Sequence, residues 1–267
     1  MRTAALVLLM AFAAVGRGDN VAEPTKKNTP RIVREAITNQ PIHDSRLDGK
    51  LILTSADGSK KTLGIVIFTR PSKDAATTET VIRILSPSDD PGATLLILQK
   101  EGEHARIYYH ETQAQTAQEI TVDKSRDRFL DTDFSYEDIN FSFLRWGQQE
   151  FVREEKRLSR KCDVIKSIPT AEEKSQYAYV LSWLDQEERA PLVTEGYDSQ
   201  GTLLKKMVVK GFERSGGGLV IKEMAIEDVK RDHKTTLKTT RADFHVNHPD
   251  ALFTKESFFR DISADNR

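Results

Sequence analysis

The chain has 267 residues, 38% of them hydrophobic, with 40 Lys+Arg against 41 Asp+Glu. That is a globular composition, neither disordered nor a multi-span membrane one, and its balanced charge demands neither nucleic acid nor an anionic bilayer as a partner. The single cysteine, Cys162, excludes an intrachain disulfide, a four-cysteine zinc site and a dithiol redox motif.

The N-terminus reads as an export signal. Arg2 precedes an uncharged, mostly apolar run from Thr3 to Gly16, small residues offer cleavage sites, and a polar segment begins at Arg17. The run is shorter than the roughly 20 residues a membrane span needs. The expectation is a signal peptide over residues 1–18, a flexible lead-in over 19–29 and one domain over 30–267, exported and mildly acidic. Cys162 is expected to be a buried small hydrophobe.

Pro30, with Thr29 before it, marks a helix start, and Ile32, Val33, Ala36 and Ile37 share one helical face up to Pro41. Strand signals dominate after that. Asp48-Gly49 and Asp57-Gly58 read as turns flanking Lys50 to Thr54. Leu63 to Thr69, Thr80 to Leu85, Thr94 to Leu98 and Arg106 to Tyr109 follow as strands. So do Tyr177 to Leu184, Leu203 to Phe212, Gly218 to Ile226 and Thr235 to Val246. Loops such as Ser86 to Gly92, and turns at Asp198 to Gly201 and Ser215 to Gly218, separate them. Short strands at this spacing predict an antiparallel meander, not a doubly wound α/β sheet. Glu150 to Lys161 reads as a solvated strand or hairpin.

Several strands are apolar on both faces: Ile65 and Ile67 alternate with Val66 and Phe68. A sheet with one wet face alternates apolar with polar instead. Two readings follow, a core closed on both sides or a curved sheet whose inner face lines an apolar cavity.

Phe129 to Phe141 carries the most distinctive local pattern, FLDTDFSYEDINF. Asp133 or Ser135 can cap a short helix, with Glu137 or Asp138 at the capping-box position. The acidic groups read as a capped turn, with a calcium site from Asp131, Asp133, Glu137 and Asp138 as the alternative. The spacing lacks the central glycine of an EF-hand loop. His245 and His248 have His-x-x-His spacing but no evident third ligand. His43-Asp44-Ser45 lists the residue types of a triad without its geometry. Asn140-Phe141-Ser142 is a glycosylation sequon in form. No catalytic constellation, metal site or cofactor motif emerges.

FLDTDFSYEDI, preceded by RILSPSDDPGATLLIL and IYYHET, resembles the outer-membrane lipoprotein-sorting protein family with the LolA-like fold. Leu130-Asp131-Thr132 and His110 depart from the family's usual residues. Trp183, Asp185, Glu195, Tyr197, Asp198, Gly201, Leu204 and Lys205 match its next block. Thr236, Leu237, Asn247, Leu252, Phe253 and Thr254 match its closing segment. The resemblance covers roughly Ile82 to Phe258, and Asp133, Phe134, Ser135, Tyr136, Glu137 and Asp138 are its most specific part.

The resemblance implies a mainly β fold: a strongly curved antiparallel sheet, an incomplete barrel, covered by a few short helices. It implies a monomeric, non-enzymatic periplasmic carrier with no cofactor, holding lipid or lipoprotein acyl chains in an apolar cavity, with an inner-membrane exporter as a further partner. Ile32, Ile37, Ile65, Ile67, Ile82, Ile84, Phe134, Tyr136, Phe141 and Trp183 are the candidate cavity and lid residues. The Ile32 helix and the Phe134 to Phe141 segment are the candidate lids. A docking module for an envelope partner and a secreted hydrolase are the alternatives.

Overall fold

The computed structural model describes residues 6–7, 29–38, 43–72, 77–85, 92–100, 103–111, 114–215 and 218–259. The expected lead-in, Pro41, most of the Ser86 to Gly92 loop, the centre of the glycine hairpin and nearly all of the expected signal peptide lie outside them.

In chain order the elements are β1 (Leu6–Val7), α1 (Arg31–Thr38), β2 (Ser45–Thr54), β3 (Lys60–Pro71), β4 (Thr77–Ile84), β5 (Thr94–Lys100), β6 (Arg106–His110) and β7 (Gln118–Ile120). There follow α2 (Tyr136–Ile139), β8 (Gln148–Arg157), β9 (Arg160–Ile168), β10 (Tyr179–Asp185) and β11 (Pro191–Tyr197). The last strands are β12 (Leu203–Ser215), β13 (Gly218–Asp228) and β14 (His233–Phe244). The strands form one large, curved, unclosed sheet in the order β7-β6-β5-β4-β3-β2-β14-β13-β12-β11-β10-β9-β8. Every neighbour on that path is antiparallel, and β1 pairs in parallel with Leu219–Val220 of β13. The mainly β, incomplete-barrel reading holds. No helix of the described residues is long and apolar enough to cross a membrane.

The register explains the strands that are apolar on both sides. Leu63, Ile65, Ile67, Ile82, Ile84, Leu95, Ile97 and Ile107 enter one large cluster on the inner face, under α1 and the segment around α2. Their neighbours Val66, Phe68, Val81, Leu96 and Tyr108 point outward and meet Leu252, Phe253 and Phe258. Two short 3-10 turns, Asp250–Phe253 and Lys255–Phe259, therefore lie against the outer face as a strap. Arg70 stacks over the Phe253 ring at 4.2 Å and pairs with Asp250 at 2.7 Å, and Arg83 donates to the Ser257 carbonyl at 3.0 Å. The closed-core reading describes this packing: these strands bury an inner face and a strapped outer one.

Some local expectations are corrected. Asp48-Gly49 is not a turn: β2 runs through it, with Gly49 opposite Ile65 on one side and Thr239 on the other. A Cβ on Gly49 would sit 2.8 Å from the Lys238 carbonyl oxygen, so glycine serves close backbone approach here. The last strand stops at Phe244, and His245, at φ 60°, turns the chain out of the sheet. Asp57-Gly58 is a turn, and Glu150 to Lys161 forms most of the β8–β9 hairpin.

Candidate functional site

The FLDTDFSYEDINF segment folds back over the sheet at the ends of β12 and β14. Leu130 and Phe141 adopt left-handed backbone (φ 53° and 50°), which bends the chain sharply on either side of α2. Ser135 caps α2 in a capping box with Asp138: its N–H donates to Asp138 Oδ2 at 2.9 Å and its hydroxyl to the same oxygen at 2.6 Å. The apolar members plug the inner face. Phe134, Tyr136, Ile139, Phe141 and Phe143 are all buried, with Tyr136 among Tyr109 and Phe129.

The carboxylates are buried as well, and each has its own donors. Asp133 accepts from His233 Nδ1 at 2.7 Å, Thr235 Oγ1 at 2.7 Å and Arg231 Nη1 at 3.1 Å. Asp138 accepts from Lys205 Nζ at 3.0 Å and from the Tyr177 hydroxyl at 2.8 Å, and Lys205 also donates to the Asp133 carbonyl at 2.8 Å. Glu137 accepts from Ser175 Oγ at 2.7 Å and from Gln176 Nε2 at 2.9 Å. Burial, reinforced by the neighbouring Asp138, pushes the Glu137 carboxyl up to about 6. Burial and the same two carboxylates hold the Tyr177 phenol well above its usual range. The motif is therefore a polar latch. It ties the covering segment to β12, to β14 and to the β9–β10 connection, and satisfies every charge it buries.

The calcium alternative does not fit this geometry. Asp131 is exposed and faces Lys61, while the other three carboxylates point to different protein donors. Among the described residues no three metal-ligating side chains converge. His245 rests its ring against His43, and His248 donates from Nε2 to the Ser45 carbonyl and from its backbone N–H to Asp44, so these residues tie the strap's approach to the start of β2. Cys162 is buried, and desolvation raises its thiol to about 11.

Of the ten candidate cavity and lid residues, Ile32, Ile65, Ile67, Ile82, Ile84, Phe134, Tyr136 and Phe141 sit in the inner cluster, and Ile37 packs against its rim. Trp183 lies elsewhere. It points to the outer face with Cys162, Val164, Leu192 and Val193, beneath the Arg157 guanidinium. Alternation along β10 puts Val180 and Leu184 inward and Trp183 outward. Beside α1 a 440 Å³ groove opens, lined by Pro30, Ile32, Phe151 and Arg189 among others.

A family model described as "-like: Uncharacterized protein" matches residues 76–260, from β4 to the strap. The chain belongs to that family. No curated protein matches it. Among solved structures, it is similar to a DUF1329 family protein from Desulfovibrio piger, with 18% identity and a TM-score of 0.75 over 85% of this chain and 96% of that one. It is also similar to an outer-membrane lipoprotein-sorting protein domain from Vibrio parahaemolyticus, with 20% identity and a TM-score of 0.74 over 86% and 97%. A LolA superfamily protein from Nitrosomonas europaea shares 16% identity and a TM-score of 0.61 over 86% and 99%. The chain thus has the LolA-like fold of these structures. Family-type positions outside α2 are also structural. Asp185 accepts the backbone N–H groups of Glu187 and Glu188 and the Arg160 guanidinium, and Asp198 accepts those of Gln200 and Thr202. His233, Thr235 and Tyr177 are latch residues that sequence reasoning missed, since nothing in a strand's alternation marks which polar side chain will meet a loop 100 residues away.

Proposed function

We propose that the chain is a periplasmic, non-enzymatic carrier that holds the acyl chains of a lipid or lipoprotein between its curved sheet and the two covers, α1 and the α2 segment. The observation that carries this reading is the inner face itself. It is one continuous apolar cluster spanning strands from both halves of an unclosed sheet, from Ile107 on β6 to Ile165 on β9, covered among the described residues by α1 and the segment around α2. An acyl chain costs roughly 0.8 kcal/mol for each CH₂ left in water, so a carrier must enclose most of it. A sheet whose edges do not meet can part from its covers without breaking strand pairing. The buried carboxylates around α2 are held by protein donors in the latch, which fits a structural role for them.

Native mass spectrometry of the exported protein, with extraction of any adduct, tests the reading. A co-purifying acyl species is the expected result and names the cargo class. A clean apo mass, with no thermal shift on adding phospholipid or lipopeptide, would overturn it.

A further inference from the structure

We infer that the tip of the β8–β9 hairpin is a docking point for an anionic phospholipid bilayer. β8 is the edge strand of the sheet, and its hairpin is exposed along most of its length. The two-residue turn is Leu158-Ser159, with φ of 50° and 64°. A type I′ turn requires both of these values, and glycine or asparagine adopts them cheaply; leucine does not. That leucine is also half exposed at the apex, with 50% of its surface in water. An apolar side chain held in strained backbone at the most projecting point of a hairpin needs a reason outside the fold.

Charge supplies the reason. The residues next to the turn are cations facing cations: Arg157 lies opposite Arg160, and Lys156 lies opposite Lys161. Like charges directly across an antiparallel pair repel. The fold neutralises the arginine pair, since Arg157 binds Glu155 at 2.8 Å and Arg160 binds Asp185, Glu187 and Glu188. It does not neutralise the lysines, which are both exposed and, among the described residues, make no salt bridge. The acids of the same hairpin lie further from the tip, where Gln186 bridges Glu154 and Asp163. The tip therefore presents one apolar side chain flanked by two unneutralised ammonium groups that point to the same side. An anionic headgroup layer relieves the lysine repulsion while the leucine enters the acyl boundary. A single leucine and two lysines give weak, reversible docking, as a shuttling protein needs; only that purpose rests on the carrier reading.

Vesicle flotation of the mature chain tests the inference, with vesicles of phosphatidylglycerol and phosphatidylethanolamine against vesicles of phosphatidylcholine alone. Wild type should float with the anionic vesicles only, and less at high salt. Lys156→Gln/Lys161→Gln should lower the partition coefficient roughly twenty-five-fold, about fivefold for each lysine. Leu158→Asn should lower it roughly tenfold while leaving the melting temperature unchanged or higher, because asparagine tolerates the left-handed turn. Absence of flotation, or flotation of both variants equal to wild type, overturns the inference and leaves an acidic protein surface as the partner of this tip. Native mass spectra of the same samples keep the two readings apart: acyl adducts without flotation defeat docking alone, and flotation without adducts defeats the carrier alone.

Discussion

Lys205→Met is expected to destabilise the protein by about 3 kcal/mol, at the lower end of the cost of orphaning a buried charge. The lysine ammonium is almost fully buried, with 6% of its side chain exposed, against Asp138 with 4%. Methionine fills the stem volume but removes both donations, one to the Asp138 carboxylate and one to the Asp133 carbonyl. Asp138 keeps three donors, the Ser135 N–H, the Ser135 hydroxyl and the Tyr177 hydroxyl. Those hold the loss to the low end, yet they bring no positive charge. For a chain of this size the melting temperature should fall by roughly 6–12 °C. Urea unfolding of Lys205→Met, Asp138→Asn and the double variant gives the coupling directly. The double variant should be less destabilised than the sum of the singles by at least 1 kcal/mol, because neutralising Asp138 removes the orphaned charge. Additive losses, or a single-variant cost below about 1 kcal/mol, would show that the latch is not an ion pair in energetic terms and would refute the account of the motif.

Two further outcomes follow from the same site. Glu137 binds its proton more tightly when folded, near 6 against an ordinary 4.5, so its contribution to stability is complete below 4.5 and is lost as pH rises through 6. The loss amounts to about 2 kcal/mol. The difference between wild type and Glu137→Gln should therefore change by about that amount between pH 4.5 and 7 in chemical unfolding; a difference flat with pH would contradict the burial argument. Gly196→Ala would place a Cβ 2.3 Å from the Tyr177 ring, which is buried and donates to Asp138. The expected cost is roughly 1–3 kcal/mol, and Tyr177→Phe in the same background should cost less than it does alone, because the alanine has already displaced the hydroxyl. Equal costs in the two backgrounds would speak against that displacement.

Much of the fold was legible because period and punctuation carry it. LGIVIFT and TVIRIL identify strands as short, β-branched apolar runs whatever their partners, and Asp57-Gly58 identifies a turn. Asp48-Gly49 misled because the same dipeptide serves tight backbone approach, a property of the neighbouring strand rather than of the local sequence. Trp183 was misplaced for a different reason. In a strand apolar on both sides the pattern does not say which side is inner, and only the strap and the latch decide it. The motif around Asp133 was visible as a capped turn, but its partners were not. His233 and Lys205 come to it through the sheet's curvature, over separations of 100 and 67 residues.

The two covers differ in what holds them, and the carrier reading turns that difference into a direction of entry. The α2 segment is pinned by buried charge on three sides. α1 has eight residues, too few for a helix to persist alone. It buries Ile32, Val33 and Ala36, and its tie to the sheet's turns is the Glu35 carboxylate, which Arg189 reaches at 2.6 Å. Ile32 and Val33 supply roughly 3–6 kcal/mol, Ala36 adds less, and a partly exposed ion pair adds at most about 1. Lifting α1 is therefore the cheaper way to reach the inner face, on the side where the groove beside Phe151 already opens. Hydrogen exchange should show α1 amides opening faster than those of residues 136–146, and an acyl ligand should slow α1 most. Glu35→Gln should raise α1 exchange without changing that of α2. Equal protection of both covers, or ligand protection confined to α2, would move the entrance to the latch side and contradict the energetic ordering drawn from these contacts.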